Sequence, residues 1–363
     1  MPTQSNYKIY STSHEAWDAM MRAILGAKKS VFWELYIFLD DEAGRPFFDA
    51  LEQKAKSGVD IKLVVDAIGS FWLSKKRTES LRLAGVDLQF FSERSKKYRG
   101  WWKRLISRTH RKILIVDEQI GFIGGVNVSQ EMKEWLDIQV RVEGKIVNSL
   151  LRSFAKSYTI CGGDKQKVKQ FLKFKYRLQS DEANLVIDEP DTQRSAVRKK
   201  YIDALLKARE HVVLFSPYYF PDKKFLYALW KAKKRGVRID LLLPLRTDIR
   251  IITYAAYAWF KLLQKAGINI HLTKSMMHGK GVIVDDKWAM IGSSNLDQTS
   301  FYDNYEANLE IKKYTVVQNL KDIVNEWVEN AKHLTPEDLE KIGLWEVVKT
   351  KAAFNLYKLW NRK

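Results

Sequence analysis

Short apolar runs alternate along this chain with longer amphipathic stretches, and the alternation occurs twice. The runs are Ile61–Val65, Leu88–Phe91 and Ile113–Val116, then Ile239–Leu243, Ile270–Leu272 and Val282–Val284. Runs of this length and composition, separated by helical patterns, predict the strands of an α/β sheet layered by helices. The intervening segments repeat as well. Ala23–Lys28 answers Ala204–Arg209, Val31–Phe38 answers Val212–Phe220, Ala50–Val59 answers Ala228–Val237, and Ala84–Val86 answers Ala266–Ile268.

The 363 residues therefore read as two related halves, residues 1–165 and 198–334, joined by a polar linker over 166–197 with one or two helical pieces. Each half has ordinary domain size. Thr335-Pro336-Glu337-Asp338 has the cap, proline and acids of a helix start, which predicts a C-terminal helix over 335–363. Its Trp345, Val348, Ala352, Leu356 and Leu359 form one stripe, suited equally to a membrane interface and to docking on the protein. Ile251–Leu263 reads as either an acyl-chain groove or core.

Inside the repeat lies a doubled motif, His-x-Lys-x4-Asp-x6-Gly-(Gly/Ser)-x-Asn. It comprises His110, Lys112, Asp117, Gly124, Gly125 and Asn127 in the first half, and His278, Lys280, Asp285, Gly292, Ser293 and Asn295 in the second. Each His-x-Lys opens an apolar strand, which presents it at a sheet edge. The chemistry needs two copies: one neutral imidazole attacks phosphorus while a protonated one donates its proton to the leaving oxygen. Ammonium and amide groups then neutralise the non-bridging oxygens, so no metal or other cofactor is expected. The other four histidines, His14, His211, His271 and His333, lack such surroundings and read as structural or surface residues.

The doubled motif resembles the phospholipase D superfamily, and Trp33–Phe38 together with His110–Asn127 resemble its bacterial cardiolipin synthase branch. The resemblance spans about residues 8 to 330. It implies two pseudo-symmetric halves, each a mixed sheet layered by helices, with the site between them. It implies that His110 is the nucleophile and His278 the acid, and that a downstream carboxylate orients each histidine. Asp137, 27 residues after His110, and Glu306, 28 after His278, are the candidates. Asp117 and Asp285 enter the catalytic set as motif residues, with the reading that they hold the motif loop together. Glu34, Gly125 and Ser293 are candidate substrate-binding residues.

A net charge of +19 predicts attraction to a polyanion, lipid surface or nucleic acid. The halves help to separate these. Gly85 to His110 spans 25 residues against 11 from Gly267 to His278, and the 14 extra include Lys96–Arg104. There Trp101, Trp102, Lys103 and Arg104 mix aromatic and basic groups as membrane-contacting segments do. The expected partners are an anionic phospholipid substrate and a membrane surface, with no nucleic acid and no oligomer required.

Cys161 stands alone, which fits a reducing compartment. No run approaches the roughly 18 apolar residues of a spanning helix, and no signal peptide is recognisable at the N-terminus. Together with the resemblance to bacterial synthases, these features imply peripheral attachment to the cytoplasmic face of a bacterial inner membrane. The leading reading is a phosphatidyltransferase; a phospholipid hydrolase, a metal-independent nuclease and an inactive lipid-binding scaffold are the alternatives.

Overall fold

The computed structural model describes residues 6–91, 108–175, 182–190, 194–248 and 250–340. Trp101, Trp102, Lys103 and Arg104, and the tail beyond residue 340, lie outside the described residues.

The first half runs β1 (Tyr7–Thr12), α1 (Ser13–Gly26), β2 (Ser30–Leu35), α2 (Arg45–Lys56), β3 (Asp60–Asp66), α3 (Lys75–Leu83), β4 (Asp87–Phe91), β5 (Ile113–Val116), β6 (Ile120–Gly124), β7 (Leu136–Glu143) and α4 (Ile146–Ile160). A short helix α5 (Lys165–Val168) leads to the second half. That half runs β8 (Ala183–Asp188), α6 (Ala196–Lys207), β9 (His211–Phe215), α7 (Lys223–Lys234), β10 (Arg238–Pro244), α8 (Arg250–Lys265), β11 (Asn269–Thr273), β12 (Gly281–Val284), β13 (Trp288–Gly292), α9 (Gln298–Tyr302), β14 (Glu306–Ile311), α10 (Tyr314–Glu329), β15 (Lys332–His333) and α11 (Pro336–Glu340).

Strand order is β1-β7-β6-β5-β2-β3-β4 in one sheet and β8-β14-β13-β12-β9-β10-β11-β15 in the other. The two orders match strand for strand, with β15 added at one edge. In each sheet three parallel strands, joined through helices, meet an antiparallel meander. β2, β5, β9 and β12 are central and covered on both faces, so their apolar residues run continuously rather than alternating.

Two expectations are corrected. β8 falls inside the stretch read as linker; it pairs with β14 as β1 pairs with β7, so the second half begins at Ala183 rather than at 198. The apolar run of β8, Leu185, Val186 and Ile187, is short and set between Asn184 and Asp188 in a charged stretch, so it reads as part of the linker. Strand register also aligns Phe38 with Tyr219, not Phe220: Val31 opposes Val116 as Val212 opposes Val284, and Phe38 bridges Val128 as Tyr219 bridges Leu296. Of the aromatic segment on α8, Phe260 and Leu263 are buried in the core of the second half, with Tyr257 and Trp259 packed against it.

The halves share a core. One cluster joins Phe32, Ile138 and Phe154 of the first half to Phe215, Met277, Tyr305 and Trp327 of the second. Both histidine motifs open onto this seam.

Candidate active site

Each His-x-Lys segment lies just before a central strand, β5 or β12, beside the C-terminal ends of the parallel strands. Backbone bonds then hook it to the opposite half. His110 N donates to Tyr305 O at 3.0 Å and Tyr305 N to Arg108 O at 2.8 Å. On the other side of the seam, Leu136 N donates to Met276 O at 3.0 Å and His278 N to Leu136 O at 2.7 Å.

Asp137 and Glu306 directly follow Leu136 and Tyr305, so this exchange carries each carboxylate to the histidine of the other half. His110 Nδ1 lies 3.1 and 3.2 Å from the two Glu306 oxygens, and His278 Nδ1 lies 2.7 Å from Asp137 Oδ2. The pairing implied by the repeat alignment, Asp137 with His110 and Glu306 with His278, is therefore corrected. Spacing along the chain aligns equivalent residues but is blind to a swap across a pseudo-twofold.

All four groups are almost fully buried. Burial pushes the His110 imidazole down to about 4 against the pull of Glu306, and it lowers His278 too, with the Lys280 charge adding to the effect. Burial alone would raise Asp137 and Glu306, but their histidine partners hold both below the ordinary carboxylate range. A carboxylate on Nδ1 fixes that nitrogen as the donor and leaves the Nε2 lone pair of a neutral ring for chemistry.

Lys112 and Lys280 are equally buried. Lys112 Nζ donates to His110 O at 2.7 Å and stands 5.1 Å from the centre of the Tyr36 ring; Lys280 Nζ donates to His278 O. An ammonium has three protons, so each keeps donors for a ligand. Burial and mutual repulsion lower Lys112 well below its usual value, and burial brings Lys280 to about 8. The Lys280 charge acts on His110 and the Lys112 charge on His278, so the two motifs share one electrostatic site.

Asn127 and Asn295 are buried beside the motifs. Asn127 Oδ1 accepts from Ile37 N at 3.1 Å, which turns its NH2 away from that backbone. Asn295 Oδ1 has no protein partner.

The other five candidate residues lie beside or away from the histidines. Asp117 and Asp285 sit at the far ends of β5 and β12 from the histidines. Both adopt positive φ, 52° and 50°, in the three-residue hairpin loops 117–119 and 285–287. The Asp117 carboxylate accepts from Lys28, Lys29 and Ser30 N, and that of Asp285 from Arg209, Glu210 and His211 N. They brace the entries to β2 and β9 and do not reach the seam.

Ser293 is fully buried and its hydroxyl donates to Glu306, while a side chain at Gly125 would collide with Asp137 Oδ1 at 2.2 Å. Both stand against the two carboxylates. Glu34 is fully buried, accepts from the Thr109 hydroxyl, and is raised by burial against the pull of Arg111. It belongs to the floor under His110.

That floor is the part the sequence did not reveal. Asp66 Oδ2 accepts from Thr109 N at 3.0 Å, and buried Arg111 reaches Glu306 O, Ser157 Oγ and Glu189 Oε1. The Tyr36 ring stands edge-on to His110 at 5.1 Å, and Trp135 lies 5.3 Å from His278. By strand register, Glu34, Asp66, Thr109 and Arg111 correspond to Phe215, Pro244, Met277 and Gly279. The floor is polar under His110 and apolar under His278. Comparing the repeats position by position was the available signal.

The comparisons with known proteins agree with this geometry. A family described as "Cardiolipin synthase, PLD-like domain" matches residues 20–157 and 201–327. Cardiolipin synthase B of Escherichia coli (strain K12) is 30% identical over 361 residues, covering 97% of this chain and 87% of its own. Cardiolipin synthase 2 of Bacillus cereus is 32% identical over 341 residues, 89% of this chain and 65% of its own. In fold, the chain is similar to phosphatidylserine synthase of Haemophilus influenzae, with a TM-score of 0.71 at 14% identity over 97% of this chain and 95% of that one. Two sheets in matching order, two histidine motifs on one seam and these relatives lead to one conclusion: the chain belongs to the phospholipase-D-like family of cardiolipin synthases.

Proposed function

We propose that the protein is a phosphatidyltransferase of the cardiolipin synthase type, with phosphatidylglycerol as both donor and acceptor. The observation that carries this reading is the reciprocal pairing of His110 with Glu306 and His278 with Asp137 across one seam.

His110 Nε2 attacks phosphorus and forms an N–P bond. The P–O bond to glycerol breaks as His278 delivers its Nε2 proton to the leaving oxygen. In the second step the acceptor hydroxyl gives its proton to His278 and attacks phosphorus, and the N–P bond breaks. Lys112 and Lys280 offset the non-bridging oxygen charge, with Asn127 and Asn295 as hydrogen-bond partners.

Two features support this polarity. His110 is neutral at ordinary pH, as a nucleophile must be. His278 has the shorter carboxylate contact, 2.7 against 3.1 Å, which holds an imidazolium better. The arriving phosphodiester anion supplies further counter-charge.

Attachment to the inner face of a membrane follows from an anionic lipid substrate and the basic chain; among the described residues no helix is long and apolar enough to cross a bilayer. The test is mass spectrometry of products from phosphatidylglycerol vesicles. Cardiolipin and free glycerol are expected, with loss of at least about 1000-fold for His110→Ala and His278→Ala. Phosphatidic acid alone would replace transfer with hydrolysis.

A further inference from the structure

The segment after β3 turns its bulkiest apolar side chains outward. Phe71 and Trp72 are 69% and 79% exposed, packed edge to face at 5.4 Å, and neighbouring Ile68 is 50% exposed. The tip is firmly built. Asp66 Oδ1 accepts from Ile68 N and Gly69 N, both at 3.0 Å, and Ser70 N donates to Asp66 O at 2.9 Å. Ser70 Oγ donates to Tyr36 O at 3.0 Å, and a Cβ at Gly69 would stand 2.3 Å from that oxygen.

These anchors are walls of the active site. Asp66 also holds Thr109 N, one residue before His110, and the Tyr36 ring stands against His110 itself. Exposed Lys75 and Lys76 follow the tip at the start of α3.

We propose that Ile68, Phe71 and Trp72, with Lys75 and Lys76, form a docking tip that seats the mouth of the site on an anionic bilayer. The proposal rests on the phosphatidyltransferase reading, which requires a lipid headgroup to reach His110 from a membrane. Aromatic side chains favour the headgroup level and basic ones are drawn to anionic lipid. The three apolar side chains expose on the order of 300 Å², well short of the roughly 800 Å² per partner of a stable protein interface. A bilayer surface needs no such area, and its charge complements the two lysines.

The test uses the full chain and vesicles of phosphatidylglycerol mixed with phosphatidylcholine, beside vesicles of phosphatidylcholine alone. The double variant Phe71→Ser/Trp72→Ser is expected to float with the mixed vesicles about 100-fold more weakly. Its turnover on vesicles should fall in parallel, while turnover of short-chain phosphatidylglycerol dispersed as monomers is unchanged. Lys75→Glu/Lys76→Glu should weaken flotation with the mixed vesicles only.

Equal flotation of the Ser variant and the parent overturns the tip. A change in the lipid-free sedimentation mass of that variant also overturns it, because a second copy would then be the occupant. If the parent floats in a tip-dependent way yet turns over no lipid, the docking tip stands and the phosphatidyltransferase reading falls.

Discussion

A buried imidazole needs a fixed tautomer and a source of charge balance, and here both come from a single carboxylate on Nδ1. The two carboxylates are then separable by the step each serves. On the proposed polarity Asp137 supports the proton donor, so Asp137→Asn should slow transfer from phosphatidylglycerol by about 100-fold or more. It should largely spare a phosphodiester with a p-nitrophenol leaving group, which departs without a proton. On the same polarity Glu306 supports the nucleophile, so Glu306→Gln should slow both substrates alike. Parallel rate measurements on the two donors check this. The reversed pattern would make His278 the nucleophile and His110 the acid.

At the scale of elements, Asp117 and Asp285 show what a motif letter encodes. The β5–β6 and β12–β13 hairpins put two successive residues at positive φ, Asp117-Glu118 and Asp285-Asp286, at the centre of β-turns closed by Gln119 N to Val116 O and Lys287 N to Val284 O, as a type I′ turn requires. Aspartate tolerates that backbone, and its carboxylate then satisfies amides at the start of the neighbouring strand. Asp117→Ala or Asp285→Ala should cost about 1–2 kcal/mol of stability and leave kcat of the folded enzyme unchanged, as denaturant unfolding beside steady-state rates would show.

Each carboxyl is held below its ordinary value, with backbone amides outweighing burial. Its contribution is therefore present above the unfolded value near 4 and is lost as pH falls through the folded one. The central strands were legible because burial on both faces makes them continuously apolar. β8 was not, because its three apolar residues, Leu185, Val186 and Ile187, are embedded in a polar and charged stretch that reads as linker.

Over the whole molecule, closing two halves on one seam removes both imidazoles from water, and this sets the pH dependence. Burial depresses His278, so its acid form is lost as pH rises through a value under 6.5, while His110 becomes neutral above about 4. kcat/KM should therefore peak between these limits and decline toward neutrality, with a further loss near 8 as Lys280 deprotonates. The alkaline limb of kcat should lie higher, because bound phosphodiester favours the imidazolium. An alkaline optimum for kcat/KM would contradict this account.

Sequence spacing was enough to find both motifs and both carboxylates, since duplication leaves the same letters in the same order. Which carboxylate meets which histidine was not legible, because contacts such as His110 with Tyr305 depend on how the halves dock. Beyond Glu34, the polar floor was hidden for a related reason: Asp66 lies far in the chain from Thr109 and Arg111, and none of the three has a polar counterpart in the repeat.

The exchange of carboxylates has a consequence for ancestry. A solitary half would possess a histidine lacking its acid and an acid lacking its histidine. Two identical halves related by a twofold would satisfy the same reciprocal bonds, so the arrangement is one that a self-pairing precursor already meets before fusion. After fusion, each copy is free to diverge everywhere except where its neighbour depends on it.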